Sequence, residues 1–319
     1  MSTSMANMIK NIKIAHLFGN TNIEWRLKKT NVLVGKNGMG KSTILQLIAD
    51  AISQDTIYDK ANLCSQIIVE LISNNKFMMR KSENNIINIL GEQRFKEIII
   101  ENIRRTSGIP EDVKNNFLSM IGNENSILNQ GNAVEFISSD NNEKIDYEFV
   151  STINLNANST QNIAMGNGAI KNILDWEIQN ELNRLLDLKD EKLNDKFIKS
   201  LNEIFKESDK IVSFNEAMEL EFLFKNEKLS FVNLSSGERQ IIYTLLKVAI
   251  ATKNNALILM DEPEISLHLS WQEKLITQIR TINPDSQLII VTHSPAIVMN
   301  GWLDSFVDIQ DIIKGDSDV

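Results

Sequence analysis

At 319 residues, 42% hydrophobic and 24% charged, the chain has the composition of an ordinary globular protein, long enough for two domains. Its formal net charge of −9 argues against a general nucleic-acid coat while leaving room for a local basic groove, and its one cysteine, Cys64, excludes an internal disulfide or a thiolate zinc cluster. No apolar run is long enough to cross a bilayer and Met1 to Lys10 holds no signal-like core, so the chain is expected in the cytoplasm with no membrane partner.

Residues 11 to 34 read as three short strands, Ile12 to Leu17, Ile23 to Leu27 and Val32 to Val34, with turn residues Gly19-Asn20-Thr21-Asn22 between the first two. Phe18 and Trp25 offer faces either to an adenine ring or to the core, and the core is the commoner use of aromatics on such strands. Directly after the third strand comes Gly35-Lys36-Asn37-Gly38-Met39-Gly40-Lys41-Ser42, which fits G-x-x-x-x-G-K-[ST] without mismatch. Ile44, Leu45, Leu47 and Ile48 follow at helical spacing, completing the strand, glycine-rich turn and helix that a phosphate-binding loop requires. Its glycines let successive amides and the positive helix end face a polyphosphate. Lys41 is expected to reach the β- and γ-phosphates and the Ser42 hydroxyl to ligate Mg²⁺, with Thr43 in the same turn, so the expected ligand is ATP with magnesium.

From Gln66 to Met79, apolar runs around Ser73-Asn74-Asn75-Lys76 suggest a hairpin. Residues 91 to 106 look helical, 107 to 132 irregular, and Ala133 to Ser138 with Ile145 to Ile153 reads as a strand pair. The segment Lys96 to Arg105 mixes Lys96, Arg104 and Arg105 with Glu97 and Glu101, a solvated face before it is a nucleic-acid site. Between about Ala169 and Lys206 two amphipathic helices stand out: Leu174, Ile178, Leu182 and Leu185, then Leu193, Phe197, Leu201, Ile204 and Phe205. A helical lid on the core is the plainer reading, a partner-binding arm the alternative, and the stretch is far too short for a long coiled coil.

Asn233-Leu234-Ser235-Ser236-Gly237-Glu238-Arg239-Gln240 opens a helix, Ile241 to Ala251, and places a serine and a glycine where amides face an anion. The apolar strand Ala256 to Met260 follows and ends in Asp261-Glu262-Pro263. Such a strand end sets Asp261 against Mg²⁺ and Glu262 against the attacking water as general base; an N-cap at a strand-to-helix turn would use Asp261 alone. After a helix from about Ser270 to Thr281, the strand Leu288 to Val291 ends in Thr292-His293-Ser294-Pro295, which puts His293 at the strand end where ligands bind, facing the γ-phosphate.

The runs Gly35 to Ser42, Leu234 to Glu238, Leu257 to Glu262, Ile265-Ser266-Leu267-His268 and Thr292 to Pro295 resemble, in order and spacing, the Walker A, signature, Walker B, D-loop and switch-histidine motifs of ABC-type ATPases. The wording Asp-Glu-Pro-Glu-Ile-Ser-Leu-His with Trp271-Gln272, then Thr-His-Ser-Pro, is most similar to the RecF, SMC and OLD branch, and within it to small stand-alone, PtuA-like ATPases of prokaryotic antiphage defence systems. The resemblance covers residues 10 to 60 and 225 to 305 well. It implies an α/β fold: a P-loop core of ABC-ATPase type, a mixed sheet flanked by helices, with an antiparallel β subdomain and a helical lid. Within one domain over 1–319, residues 1–160 would form the N-terminal lobe, 161–225 the lid and 226–319 the C-terminal lobe. It also implies a head-to-tail homodimer or higher oligomer in which Ser235, Ser236, Gly237 and Glu238 of one copy meet the nucleotide held by Gly35 to Thr43 of the other, with Ser266 and His268 at the seam. The family's lid-facing glutamine has no clear match, and Gln161 is the candidate.

The OLD nucleases carry a C-terminal catalytic domain, whereas here an acidic tail with Asp311, Asp316 and Asp318 follows Pro295. Any cutting activity is therefore expected in a separately encoded effector. The leading expectation is an ATPase switch built on Lys41, Asp261, Glu262 and His293. A nucleotide-gated nucleic-acid-binding repair ATPase is the alternative, and a transporter subunit comes last.

Overall fold

The computed structural model describes residues 7–81, 134–139, 145–151, 161–164 and 170–315. The expected helix over 91–106, the irregular stretch 107–132, the mixed-charge segment Lys96 to Arg105, and Asp316 and Asp318 lie outside them. Strands β1 (Ile9–Leu17) and β2 (Thr21–Arg26) form the first antiparallel pair, followed by β3 (Thr30–Val34) and helix α1 (Lys41–Ser53). The expected hairpin is β4 (Gln66–Leu71) and β5 (Lys76–Lys81), turned at Asn74, whose φ of 68° suits an asparagine.

Strands β6 (Val134–Ser138) and β7 (Tyr147–Ser151) are both present, but they do not pair with each other. Strand β6 joins β5 in the antiparallel sheet, and β7 runs parallel to a strand more than a hundred residues later. The reason is what covers each face. In β7, Val150 packs into one core layer while Tyr147 and Phe149 pack on the other, which suits a strand covered on both sides; β6 alternates half-buried and exposed residues.

A small ribbon, β8 (Asn162–Ala164) and β9 (Ile170–Asn172), leads into α2 (Ile173–Asp187) and α3 (Glu191–Phe205). Asn172 and Asp190 cap these helices through their side chains, and the apolar residues at the expected spacing are buried in the same core layer as the later helices. Their apolar faces therefore serve the core. Residues 210–229, which carried no expected element, form an antiparallel meander: β10 (Lys210–Phe214), β11 (Leu220–Phe224) and β12 (Glu227–Leu229). The chain continues through α4 (Ser236–Ile250), β13 (Leu257–Asp261), α5 (Leu269–Ile282), β14 (Leu288–Thr292), α6 (Ala296–Met299), β15 (Phe306–Asp308), α7 (Ile309–Ile312) and β16 (Ile313–Lys314). No helix of the described residues is long and apolar enough to cross a membrane.

The central sheet is parallel, in the order β15-β3-β14-β13-β7. Its alternation divides the core in two. Val32, Ile258, Met260, Leu288 and Ile290 face α2, α3, α4 and α5; Leu33, Leu257, Leu259, Ile289 and Val291 face α1 and the antiparallel sheet β16-β2-β1-β4-β5-β6 beyond it. Helix α1 is thus held between two sheets, and its first turn is fixed by packing as much as by propensity.

The edge of the sheet where β3 and β14 begin is locked by two polar side chains, Gln287 buried and Arg280 partly so. Gln287 accepts from the Ile9 amide at 2.7 Å and donates to the Ile9 and Lys28 carbonyls at 2.8 and 2.9 Å, stitching β1 to the parallel sheet. Arg280 donates to the Lys29 and Ser286 carbonyls and to Thr30 Oγ1. Burial pulls its guanidinium down to about 10, against the opposing effect of Asp285. Gln287→Leu preserves bulk but strands the Ile9 and Lys28 backbone groups, so it is expected to cost about 3 kcal/mol. The check is a urea titration in which the midpoint falls at unchanged slope.

Candidate functional site

Strands β3, β14 and β13 are neighbours running the same way, with Val34 level with Thr292 and Val291 level with Asp261. Their carboxyl ends therefore deliver the Gly35–Ser42 turn, His293 and the Asp261-Glu262 pair to one edge, the place where open parallel sheets bind ligands. These residues come together at a cleft of about 430 Å³, lined by Phe18, Asn37, Gly38, Gly40 to Thr43, Glu262 and His293. That volume is within the usual range of ligand pockets.

The turn needs its glycine at position 40. Gly40 has φ of 86° as it enters α1, and a Cβ there would sit 2.6 Å from the Phe18 ring. Phe18 itself has φ of 54° and is 49% exposed, whereas Trp25 is buried in the core. Of the two aromatics considered for a base, Phe18 borders the cleft and Trp25 does not.

Lys41 is buried, with Nζ donating to the carbonyls of Gly35 at 2.8 Å and Lys36 at 3.0 Å, and lying 3.1 Å from His293 Nε2. Burial lowers its pKa, while the charges of Glu262, Asp261 and Glu264 raise it. Ser42 Oγ donates to Asp261 Oδ1 at 2.7 Å. Two oxygens on adjacent corners of a Mg²⁺ octahedron stand about 2.9 Å apart, given metal–oxygen bonds of about 2.0–2.1 Å, so this pair fits that ion. No cluster of three or more His, Cys, Asp or Glu residues suited to a metal occurs among the described residues, so such an ion would take its other ligands from water and phosphate. Asp261 is almost wholly buried; burial pushes its carboxyl up, partly offset by the Ser42 hydrogen bond.

Glu262 adopts φ of 50°, an uncommon conformation for a residue with a side chain, while its amide donates to the Val291 carbonyl at 2.8 Å. Its carboxylate lies 2.7 Å from His293 Nε2. A histidine, a carboxylate and an ammonium thus meet at the wall of the cleft, an arrangement able to move a proton from a water and to hold an anion.

The Ser235–Glu238 turn is built differently. Ser235 Oγ accepts from the Glu238 amide and the Glu238 carboxylate accepts from the Ser235 amide, a capping box for α4. Glu238 also pairs with Lys210, and Arg239 with Asp175, so two lid elements grip the turn. Ser236 is exposed, and Gly237 is buried where a Cβ would meet the Ser266 carbonyl oxygen at 2.4 Å. Neither lines the cleft of its own chain. Gln161 is exposed, its carbonyl accepting from the Ile173 amide and the Asn172 side chain, and it too is absent from the cleft lining.

The sequence reading passed over Glu264. It is buried, and its Oε1 accepts from Thr292 Oγ1 and from the amides of His293 and Ser294. A glutamate beyond a strand end gives no periodic signal; only the adjacency of β13 and β14 shows its use.

The family model described as "AAA domain, putative AbiEii toxin, Type IV TA system" matches residues 30–300. The chain is similar to the Septu protein PtuA of Bacillus thuringiensis, 33% identical over 107 residues, which take in 30% of this chain and 26% of that protein. It is 24% identical to the "Retron Vc95 probable ATPase" of Vibrio cholerae serotype O1 biovar El Tor over 85% of this chain and 67% of that one. With the "Retron Ec83 probable ATPase" of Escherichia coli it shares 30% identity over 24% of this chain and 17% of that protein. The matched lengths of PtuA and the Ec83 protein are thus about a quarter or less of those proteins. Among solved structures, the SMC head domain from Thermotoga maritima is 11% identical, with 94% of each chain covered and a TM-score of 0.47.

Because the folded state disfavours the charged form of Asp261, its folded pKa lies above the ordinary 3.8, and the ligand-free protein loses stability as pH rises through that value. Asp261→Asn is therefore expected to stabilise the ligand-free protein by about 1 kcal/mol near neutral pH. The gap over the parent should grow as pH rises from about 4, in denaturant titrations repeated across pH.

Proposed function

The chain belongs to this AAA domain family, and on that premise we propose that it is an ABC-type ATPase of the RecF, SMC and OLD branch that hydrolyses ATP as a switch. The observation carrying the reading is the convergence of Lys41, Ser42, Asp261, Glu262 and His293 in one cleft beneath the glycine turn. In this reading Gly35 to Thr43 wrap the phosphates with their amides. Lys41 exchanges the loop carbonyls it now holds for β- and γ-phosphate oxygens. Ser42 and Asp261 would hold Mg²⁺, which would offset the charge of the phosphates. Glu262 takes a proton from the attacking water and His293 donates to the γ-phosphate. Phe18, ringed toward the cleft, offers a face to the base.

The second half of the site comes from another copy. Ser236 lies exposed at the start of α4, outside its own cleft, with the turn held from behind by Lys210 and Asp175. Its hydroxyl and the helix's positive end suit the γ-phosphate of a nucleotide bound to a partner chain. ATP would then close two copies head to tail and hydrolysis release them, with the state read by a separately encoded effector in prokaryotic antiphage defence. The likeness to PtuA and to the two retron ATPases supports that setting.

Glu262→Gln is expected to lower ATP turnover by about a thousandfold while leaving ATP binding intact. On a sizing column with saturating ATP and Mg²⁺ the variant should elute as a dimer, and a monomer there would count decisively against the switch.

A further inference from the structure

We infer that Glu264 and Gln272 are positioning residues that clamp the Thr292–Ser294 turn from behind and set the direction of the His293 imidazole. The inference rests on the ATPase reading for its consequence in turnover, but the clamp itself stands on geometry.

Glu264 leaves the end of β13 and buries its carboxylate beneath the end of β14. One oxygen, Oε1, gathers the Thr292 hydroxyl, the His293 amide at 3.0 Å and the Ser294 amide at 3.3 Å. The Ser294 amide is shared with Thr292 Oγ1 at 2.9 Å. From the other side Ser294 Oγ donates to Gln272 Oε1 at 2.6 Å, and Gln272 Nε2 donates to the Leu267 carbonyl at 3.0 Å. His293 is thus held by its own amide and by both chain neighbours, while its partly exposed ring is left to meet Glu262 and Lys41.

A purely structural glutamate would be expected to satisfy both oxygens. Here Oε2 is buried with no hydrogen-bond partner among the described residues, so the carboxylate spends its bonds on the turn through Oε1. Fixing a backbone turn is also an economical way to aim a ring whose polar contacts among the described residues include Glu262 and Lys41.

The test uses the full chain with ¹⁵N-labelled histidine. The chain has three histidines, so His293→Ala assigns the His293 ring signals against those of His16 and His268. In Glu264→Ala the His293 ring resonances should move while those of His16 and His268 stay, and kcat should fall about a hundredfold with the dissociation constant for ATP nearly unchanged. Glu264→Gln, which keeps one acceptor oxygen, should recover part of that loss. Glu264→Ala should add nothing in a His293→Ala background, because both act through one ring. Gln272→Met, which cuts the Ser294 link at similar volume, supplies the same readouts should Glu264→Ala fold poorly. Unmoved His293 signals, or a second full hundredfold loss in the His293→Ala background, overturns the clamp. A parent protein that binds ATP without turning it over sinks the ATPase reading instead, and leaves the ring signals to decide the clamp.

Discussion

One buried ammonium faces three carboxylates at the open edge of the parallel sheet, and the site is arranged around that imbalance. Lys41 feels Glu262, Asp261 and Glu264 together, in surroundings dry enough to pull its own pKa down. At an effective dielectric of about 20, charges about 4 Å apart interact by roughly 4 kcal/mol, so a surplus of carboxylates makes the cleft electronegative, a setting that suits the proposed Mg²⁺. Ser42 meanwhile holds Asp261 with a hydrogen bond, and these are the two residues that would hold the proposed Mg²⁺. In the proposed reading, a metal–polyphosphate complex would relieve the electrostatic cost of crowding these carboxylates.

Such cost is tolerable because the other edge of the sheet is closed so firmly. Gln287 and Arg280 satisfy the backbone where β3 and β14 begin, and both core layers bear on the strands between. On the lid side, Glu148 of β7 meets Arg184 of α2 and Lys247 of α4, and Glu181 meets the same two cations. Lys247, Glu148 and Glu181 are largely covered, so this network fixes α2 to the sheet and to α4 more effectively than exposed pairs would. A lid tied at that end still reaches the Ser235–Glu238 turn through Lys210 and Asp175. The lid therefore has mechanical contact with a part of the proposed site that lies outside the cleft.

The sequence made the cleft legible because its chemistry is written in short contiguous runs at strand ends: Gly35 to Ser42, Asp261-Glu262 and Thr292-His293. The buried strands Leu257–Asp261 and Leu288–Thr292 and the lid helices also followed from unbroken apolar runs and from a period of three and four. What escaped was decided by contacts distant in sequence. Whether β6 and β7 pair depends on which faces other layers cover, and a strand's own residues do not declare its neighbours. The meander at 210–229 has short strands carrying lysine and glutamate, with turns at Met218 and Lys225-Asn226 in left-handed conformations, so neither pattern nor turn chemistry announced it. Phe18 looked like core by its strand, yet the turn throws it out over Gly40.

The turn after β13 shows how these constraints meet. Two of its residues, Glu262 and Ser266, have left-handed backbone conformations without being glycine, each costing about 1–3 kcal/mol. Strain of that kind persists only where surrounding contacts over-determine the backbone. Here those contacts are the Val291 carbonyl on the Glu262 amide, Gln272 on the Leu267 carbonyl, and Gly237 packed without a side chain against the Ser266 carbonyl. The start of α4, where a partner's nucleotide is proposed to sit, therefore rests directly on the strained turn that carries the proposed general base. Any shift of Gly237 must be absorbed by Ser266, because the gap is too narrow for a methyl group, and Ser266 has little slack to absorb it. The glycine at that position sets the spacing between the surface proposed to meet a second copy and the turn that holds Glu262.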